Sequence, residues 1–336
     1  MPPNEAMTVT YVITRTTRAS RWAAAVGIML LVAAASLPAW ADASTLRLLT
    51  EFACLLVLAQ MWNLLAGYGG MMSVGQQAYL GIGGYALFVL ADYGEINPFL
   101  ALALAALIAA AVSVPVAMLV FRLKGGHFAI GTWVVGEVFR LAVSNTPALG
   151  GGSGRSLQAM REIARSIREP VTYWIALAIA SLSVIGVYWL MRSRFGLALA
   201  ALRDSESAAA SQGVDVRRTK YMVYIISALG CGMAGALYFL GNLRISPDAA
   251  FNVGWSAAII FIVVIGGIGT IEGPIIGTLL YFTLRETLAD YGTWYLITLG
   301  VIAIVMMLKY PKGVWGTLAD RFHLYLFPVQ RRIEKR

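Results

Sequence analysis

PFLALALAALIAAAVSVPVAMLVF, residues 98–121, holds no charged side chain and no alternation of apolar with polar residues. About 20 such residues cross the hydrocarbon core of a bilayer as one helix. Only helices and closed barrels satisfy their own backbone in lipid, and barrel strands alternate, so this run is read as a membrane-spanning helix. Working outward, further apolar runs lie at 22–41, 47–66, 76–92, 128–143, 171–191, 221–243, 255–270, 273–288 and 294–309. Together they predict an all-α integral membrane protein, a polytopic helical bundle of about ten transmembrane segments, some short or broken. Composition agrees: 59% of the 336 residues are hydrophobic and 13% charged, against about 45–50% and about 25% in soluble domains.

The charges between these runs set an orientation. Arg15, Arg18 and Arg21 precede the first run, and Arg122 and Lys124 follow the fourth. Arg192, Arg194, Arg203, Arg217, Arg218 and Lys220 separate the sixth from the seventh, and Lys309, Lys312, Arg321, Arg331, Arg332, Lys335 and Arg336 close the chain. These are most of the 26 basic residues, and they share one side if both termini are cytoplasmic, as the positive-inside rule requires. The net charge of +9 is therefore topological, and no nucleic-acid partner is implied. The outer segments hold Arg47 and, within 145–170, Arg155, Arg161, Arg165 and Arg168; a surface helix is expected at 157–168. Arg285 and Glu286, near an outer end, are expected to snorkel to the headgroups. The first run, with arginines before it and Ala39-Trp40-Ala41 after it, resembles a signal peptide. It exceeds the usual apolar region of about 7–15 residues and is read as a span.

Chemistry-bearing residues are sparse. Cys54 and Cys231 lie inside apolar runs without paired spacing and are expected as small buried residues, not a disulfide or metal ligands. The two histidines, His127 and His323, are far apart, and His127 reads as an interfacial anchor. There is no G-x-x-x-x-G-K-S/T phosphate loop and no H-E-x-x-H. No catalytic residue, metal or cofactor is expected in this chain.

The most informative hydrophilic stretch is MRSRFGLALAALRDSESAAASQGVDVRRTK, residues 191–220. It is too charged for lipid, yet 195–210 consists mostly of strong helix formers, and Gly213 stands where a helix would stop. One short helix is expected there, offered to a groove on a partner or lying on the membrane surface.

Several stretches, in order, resemble the permease subunits of branched-chain amino-acid-type ATP-binding-cassette (ABC) importers. The first is Arg203-Asp204-Ser205-Glu206-Ser207-Ala208-Ala209 with Gly213-Val214-Asp215 and Lys220. Others are Asn63-Leu64-Leu65-Ala66-Gly67-Tyr68-Gly69-Gly70 running into Ser73-Val74-Gly75-Gln76, Arg122-Leu123-Lys124-Gly125 with Phe128-Ala129-Ile130 and Glu137, Gly266-Gly267-Ile268-Gly269-Thr270 with Gly273-Pro274, and Tyr310-Pro311-Lys312-Gly313-Val314-Trp315. The resemblance covers about residues 46–316. It implies a cytoplasmic N-terminal segment at 1–21, a transmembrane permease domain at 22–309 with a coupling loop at 192–220, and a basic cytoplasmic tail at 310–336. It also implies that Arg203, Asp204, Ser205, Glu206, Ser207, Ala208, Ala209 and Gly213 dock into an ATPase. ATP would then be bound by two partner subunits, alongside a second homologous permease and an external substrate-binding protein, in a bacterial inner membrane. The substrates implied are branched-chain or other hydrophobic amino acids, with urea, short amides and aromatic acids among relatives. Gln76 stands where the family often has His, and Gly126-His127 replaces a bulkier pair; both departures bear on substrate.

Candidates for the translocation path come from glycine and polar placement. Gly266–Gly269, Gly273-Pro274 and 67–75 are expected to break helices, and broken backbone at membrane depth is tolerated only beside protein or a watery cavity. This singles out Ser73, Gln76, Gln77, Gly267 and Gly269, with a turn at the membrane edge as the alternative. Gly273 and Gly277 are expected to serve helix packing. Glu137 and Arg140, three apart, are expected to pair within one helix, with contact to substrate in transit as the other reading of Glu137. An ion-coupled secondary transporter would need acids within its spans, of which Glu137 is the main one. An intramembrane enzyme would need paired His, Cys or carboxylates in the spans, and the sequence has none.

Overall fold

Apolar runs with no water to bond their backbone close their own hydrogen bonds, and the predicted spans accordingly appear as helices. The structure, a computed structural model, describes residues 11–14, 18–161, 163–288, 293–322, 326–327 and 332–335; Arg15, His323, Arg331 and Arg336 lie outside them. The helices are α1 (Arg18–Ser36), α2 (Ala43–Trp62), α3 (Gln76–Asp92), α4 (Pro98–Val120), α5 (Gly126–Ser144), α6 (Arg165–Arg192), α7 (Arg194–Asp204), α8 (Glu206–Ser211), α9 (Val216–Asn242), α10 (Pro247–Ala250), α11 (Val253–Gly266), α12 (Glu272–Leu288), α13 (Thr293–Lys309) and α14 (Gly313–Phe322). The predicted spans correspond to α1–α6, α9 and α11–α13. Among the described residues, seven helical stretches are long and apolar enough to cross a membrane by length and composition. The shorter α3 and α12 have 17 residues each, and α5 carries the Glu137–Arg140 pair.

Helix α9 lies at the centre, packed on α2, α3 and α4; α6 covers α2, while α11 and α12 pair and also rest on α2. Small residues set these distances. A Cβ on Gly277 would sit 1.9 Å from the Ile262 carbonyl oxygen, and one on Gly83 2.0 Å from that of Gly232. The α11–α12 and α3–α9 backbones therefore touch, which only glycine permits. The packing role expected for Gly273 and Gly277 is what is found. Cys54 and Cys231 are buried and free. Helix α1 is peripheral, held to α6 by Tyr173 Oη donating to the Ala34 carbonyl (2.9 Å) and Trp174 Nε1 to that of Ala35 (3.0 Å).

The surface helix expected at 157–168 is not there: Leu157 and Met160 are buried, and α6 starts only at Arg165. Two short strands, β2 (Arg155–Ser156) and β3 (Arg244–Ile245), pair antiparallel instead. Asp92 fixes this loop, accepting from the Gln158 and Ala159 amides (both 3.0 Å) and pairing with Arg155 (2.9 Å). Arg47 and Arg165 both clamp Glu169, at 2.6 and 2.7 Å. Several arginines on the predicted outer side are thus neutralised locally. Arg285 does not snorkel as expected but turns inward to Glu51, 2.6 Å away. Gly273-Pro274 does not break a helix, because both lie in the first turn of α12, where proline's missing N–H is no loss. Near the chain ends, β1 (Tyr11–Thr14) and β4 (Arg332–Lys335) pair antiparallel.

The contact at Gly277 gives a first prediction. Gly277→Ala lowers the melting temperature of the detergent-purified protein by an amount equivalent to about 2 kcal/mol or more. Gly300→Ala, where an added Cβ meets nothing within 4 Å, is neutral or stabilising by up to about 1 kcal/mol. Equal effects at the two positions would contradict the close α11–α12 approach.

Candidate functional site

Helix α2 ends irregularly. It widens into a π-helical stretch, Asn63–Tyr68, and regular helix resumes only at Gln76. Helix α11 ends at Gly266, and Gly267 (φ 135°) and Gly269 (φ 75°) adopt conformations that a side chain would strain. Both breaks expose backbone groups that need partners. Asn63, fully buried, starts the first break and serves the second: its Oδ1 accepts from the Gly269 amide (2.8 Å) and its Nδ2 donates to the Thr270 carbonyl (2.7 Å). Gln60 Nε2 donates to the Ile271 carbonyl at 2.8 Å. The two backbones nearly touch, since a Cβ on Gly67 would lie 2.6 Å from the Gly269 nitrogen.

The segment after Gly67 is tied down as well. Trp62 Nε1 donates to the Ser73 carbonyl (2.7 Å), and the Val74 amide to Thr132 Oγ1 on α5 (3.1 Å). On the other side of the α11 break, Gly313 packs on Gly267, and the Phe327 amide donates to Glu272 Oε1 (2.9 Å). The region 310–336 thus includes a helix, α14, that folds back against α11 and α12; nothing in the sequence reading placed it.

The stretch expected to form one helix at 195–210 is two. Ser205 is extended (φ −161°, ψ 116°), ends α7 and caps α8, its hydroxyl accepting from the Ala208 amide at 3.3 Å. A serine followed by a short helix prefers that cap to continued helix. Gly213 (φ 83°) turns the chain out of α8, and Asp215 caps α9 by accepting from the Arg218 amide. Lys220 on α9 pairs with Glu206 at 2.6 Å. In α8 only Ala209 points inward; Glu206, Ser207, Ala208, Ala210 and Ser211 are exposed. Arg203, at the α7 end, donates from Nη1 to the Gly67 carbonyl at 3.2 Å. The Gly69-Gly70 turn lies under it: a Cβ on Gly70 would be 3.3 Å from Arg203 Cα.

Arg203, Gly67 and Gly269 thus come together at one end of the bundle, with Gly267 beside them. The other path candidates stand apart. Gln76 and Gln77 are enclosed: Cys231 Sγ donates to Gln76 Oε1 at 3.5 Å, and Ser256 Oγ bonds Gln77 Oε1. Ser73 is buried too, so none of these three reaches an open surface in this conformation. Glu137, near the middle of α5, has 43% of its side chain exposed and pairs with Arg140 at 2.6 Å. Arg140 continues to Asp248 of α10 at 2.7 Å. Sequence reasoning missed Gln60, Asn63 and Thr132 as residues that hold the breaks. The available signal was an amide in an apolar run, where a polar side chain is costly unless bonded. Among the described residues there is no group of three His, Cys, Asp or Glu placed to hold a metal.

Residues 44–309 match the family described as the permease component of branched-chain amino acid transport systems. The chain is 28% identical over 313 residues to the high-affinity branched-chain amino acid transport system permease protein LivM of Escherichia coli (strain K12), covering 85% of this chain and 73% of that protein. It is 26% identical over 239 residues to a probable branched-chain amino acid transport permease protein LivM of Methanocaldococcus jannaschii, covering 66% of this chain and 69% of that protein. A shorter match, 28% over 151 residues, covering 42% of this chain and 44% of the relative, links it to the fructose import permease protein FruG of Bifidobacterium longum. No solved structure matches. The family match, which runs from α2 through α13, shows that this chain belongs to the permease family of branched-chain amino acid ABC importers: it is a multi-pass membrane protein, a transport subunit and not an enzyme.

Proposed function

We propose that this permease imports branched-chain or other hydrophobic amino acids by alternating access, driven by two ATPase subunits that bind ATP and dock on Arg203–Gly213. One observation carries this reading. The exposed α8 surface, small side chains beside Glu206, is joined to the membrane breaks through a single side chain, Arg203, hydrogen-bonded to Gly67. Movement of α7 and α8 pulls on the Gly67 carbonyl and, through Asn63, on the Gly269–Thr270 turn. ATP drives transport only by favouring one permease conformation over another, and this connection gives docking a lever on the breaks. In this reading Ser73, Gln76 and Gln77, enclosed here, become part of the path when the breaks shift, together with Gly267 and Gly269.

A second homologous permease covers the open face of α5. Ile130, Trp133, Val134, Val138 and Leu141 are exposed at helical spacing, with Glu137 among them. A charge facing lipid at that depth costs about 2.5–3.5 kcal/mol or more, so this face suits a protein neighbour and a polar path better than acyl chains. An external binding protein delivers substrate at the opposite end. The loop carrying α7 and α8, and both termini, lie on the cytoplasmic side of a bacterial inner membrane.

Three substitutions test this reading in membrane vesicles from cells expressing the whole transporter. Arg203→Ala and Glu206→Ala each lower ATP-dependent leucine uptake at least tenfold while the chain still inserts and ATP hydrolysis persists; unchanged uptake removes the loop from the mechanism. Ser205→Cys reacts with an impermeant maleimide only in inside-out vesicles. Labelling in right-side-out vesicles instead would reverse the orientation.

A further inference from the structure

At the end of the bundle opposite the coupling loop, where α2 and α11 begin and α9 and α12 end, two neighbouring cavities of about 220 and 310 Å³ share Glu51 and Tyr238 in their linings. The larger is at the lower limit of ordinary small-molecule sites, about 300–1,000 Å³. Its walls include Leu55, Ala258, Trp255, Tyr281 and Tyr238, with Arg285 facing Glu51. The pair is reachable: side-chain exposure is 19% for Glu51 and 33% for Arg285. Among the described residues, the Arg285 guanidinium makes one hydrogen bond, from Nη1 to Glu51 Oε1 at 2.6 Å. That contact engages one guanidinium nitrogen and one carboxylate oxygen. Two other carboxylates at this end are more fully engaged: Asp92 by two amides and Arg155, Glu169 by Arg47 and Arg165.

We propose that Glu51 and Arg285 form an entry subsite for a zwitterionic amino acid with an apolar side chain, a reading that rests on amino-acid import and specifies where the substrate is first held by the permease. The ligand's carboxylate takes the guanidinium, which suits a planar carboxylate with two parallel bonds. Its ammonium takes the Glu51 carboxylate, and its side chain meets Trp255, Tyr238 and Leu55. One ion pair opens and two form, so no charge is left unmatched. A sugar offers no charge to open the pair, and a substrate with one net charge leaves Glu51 or Arg285 unpaired, which is the costly arrangement. The same chemistry thus selects amino acids over a sugar such as the fructose for which the Bifidobacterium longum relative is named.

The test is uptake of labelled leucine by vesicles carrying the complete transporter, with ATP hydrolysis measured in parallel. Glu51→Gln and Arg285→Gln are each expected to raise the KM for leucine at least tenfold. Leucinamide, which lacks the carboxylate, inhibits the wild type far less than leucine does, and Arg285→Gln is expected to lose that discrimination. Arg285→Lys keeps the tie to Glu51 and serves as the variant that assembles if the glutamine forms do not; it raises the KM by a smaller factor and retains the preference for leucine. If the wild type takes up leucine and these variants keep its KM, the pair is only a structural tie between α2 and α12 and the subsite is overturned while amino-acid import stands. If the wild type takes up no amino acid, both readings fall.

Discussion

The Asn63 carboxamide holds together the end of the bundle that carries α7 and α8. Two chain breaks meet there, and each leaves amide and carbonyl groups without intrahelical partners. A buried, unbonded peptide group costs about 1–3 kcal/mol, so the turn between α11 and α12 would be unstable without an internal donor and acceptor. Asn63 supplies one of each, 2.8 and 2.7 Å from Gly269 and Thr270, and Gln60 adds another donor one helical turn earlier. The closeness of Gly67 to Gly269 follows, because the clamp works only if no side chain separates the two backbones.

A joint built this way is firm and still movable. Its bonds are directional and few, and the glycines around it impose no side-chain barrier to small shifts. Packed helices away from it, such as α3 on α9 with backbones in contact, move as rigid pieces. In the proposed mechanism, displacement applied at α7 and α8 concentrates at the joint. The Arg203 bond to Gly67 enters at that point, and α14 leans on it from the other side through Gly313. At the opposite end the pattern differs: ion pairs between helices, Arg285–Glu51 and Arg47–Glu169, hold the bundle around two small cavities.

Much of this architecture was legible in the chain. Long apolar runs give spans because lipid leaves the backbone no alternative, and the break at 266–269 was legible because consecutive glycines remove both packing and helix propensity. The capping chemistry of Ser205 was equally local, yet the stretch reads as one helix until the extended serine is seen to divide it. The outer loop misled for a related reason: helix-forming residues at 157–168 lose to tertiary contacts when Asp92, far away in sequence, takes the amides of Gln158 and Ala159. Arg285 was read as a snorkelling residue because its partner, Glu51, is 234 positions away.

The sequence by itself determined the class, the helical segments and the family, since each rests on composition, periodicity or short ordered motifs. Tertiary structure alone decided which polar residues serve the breaks, that Arg203 reaches Gly67, and that Gln76 and Gln77 are enclosed here. It also decided that Glu51 and Arg285 face one cavity. The reason is physical. Burial in lipid is a property of each segment, whereas a hydrogen bond between helices depends on the register and rotation of both, which close packing of distant residues fixes.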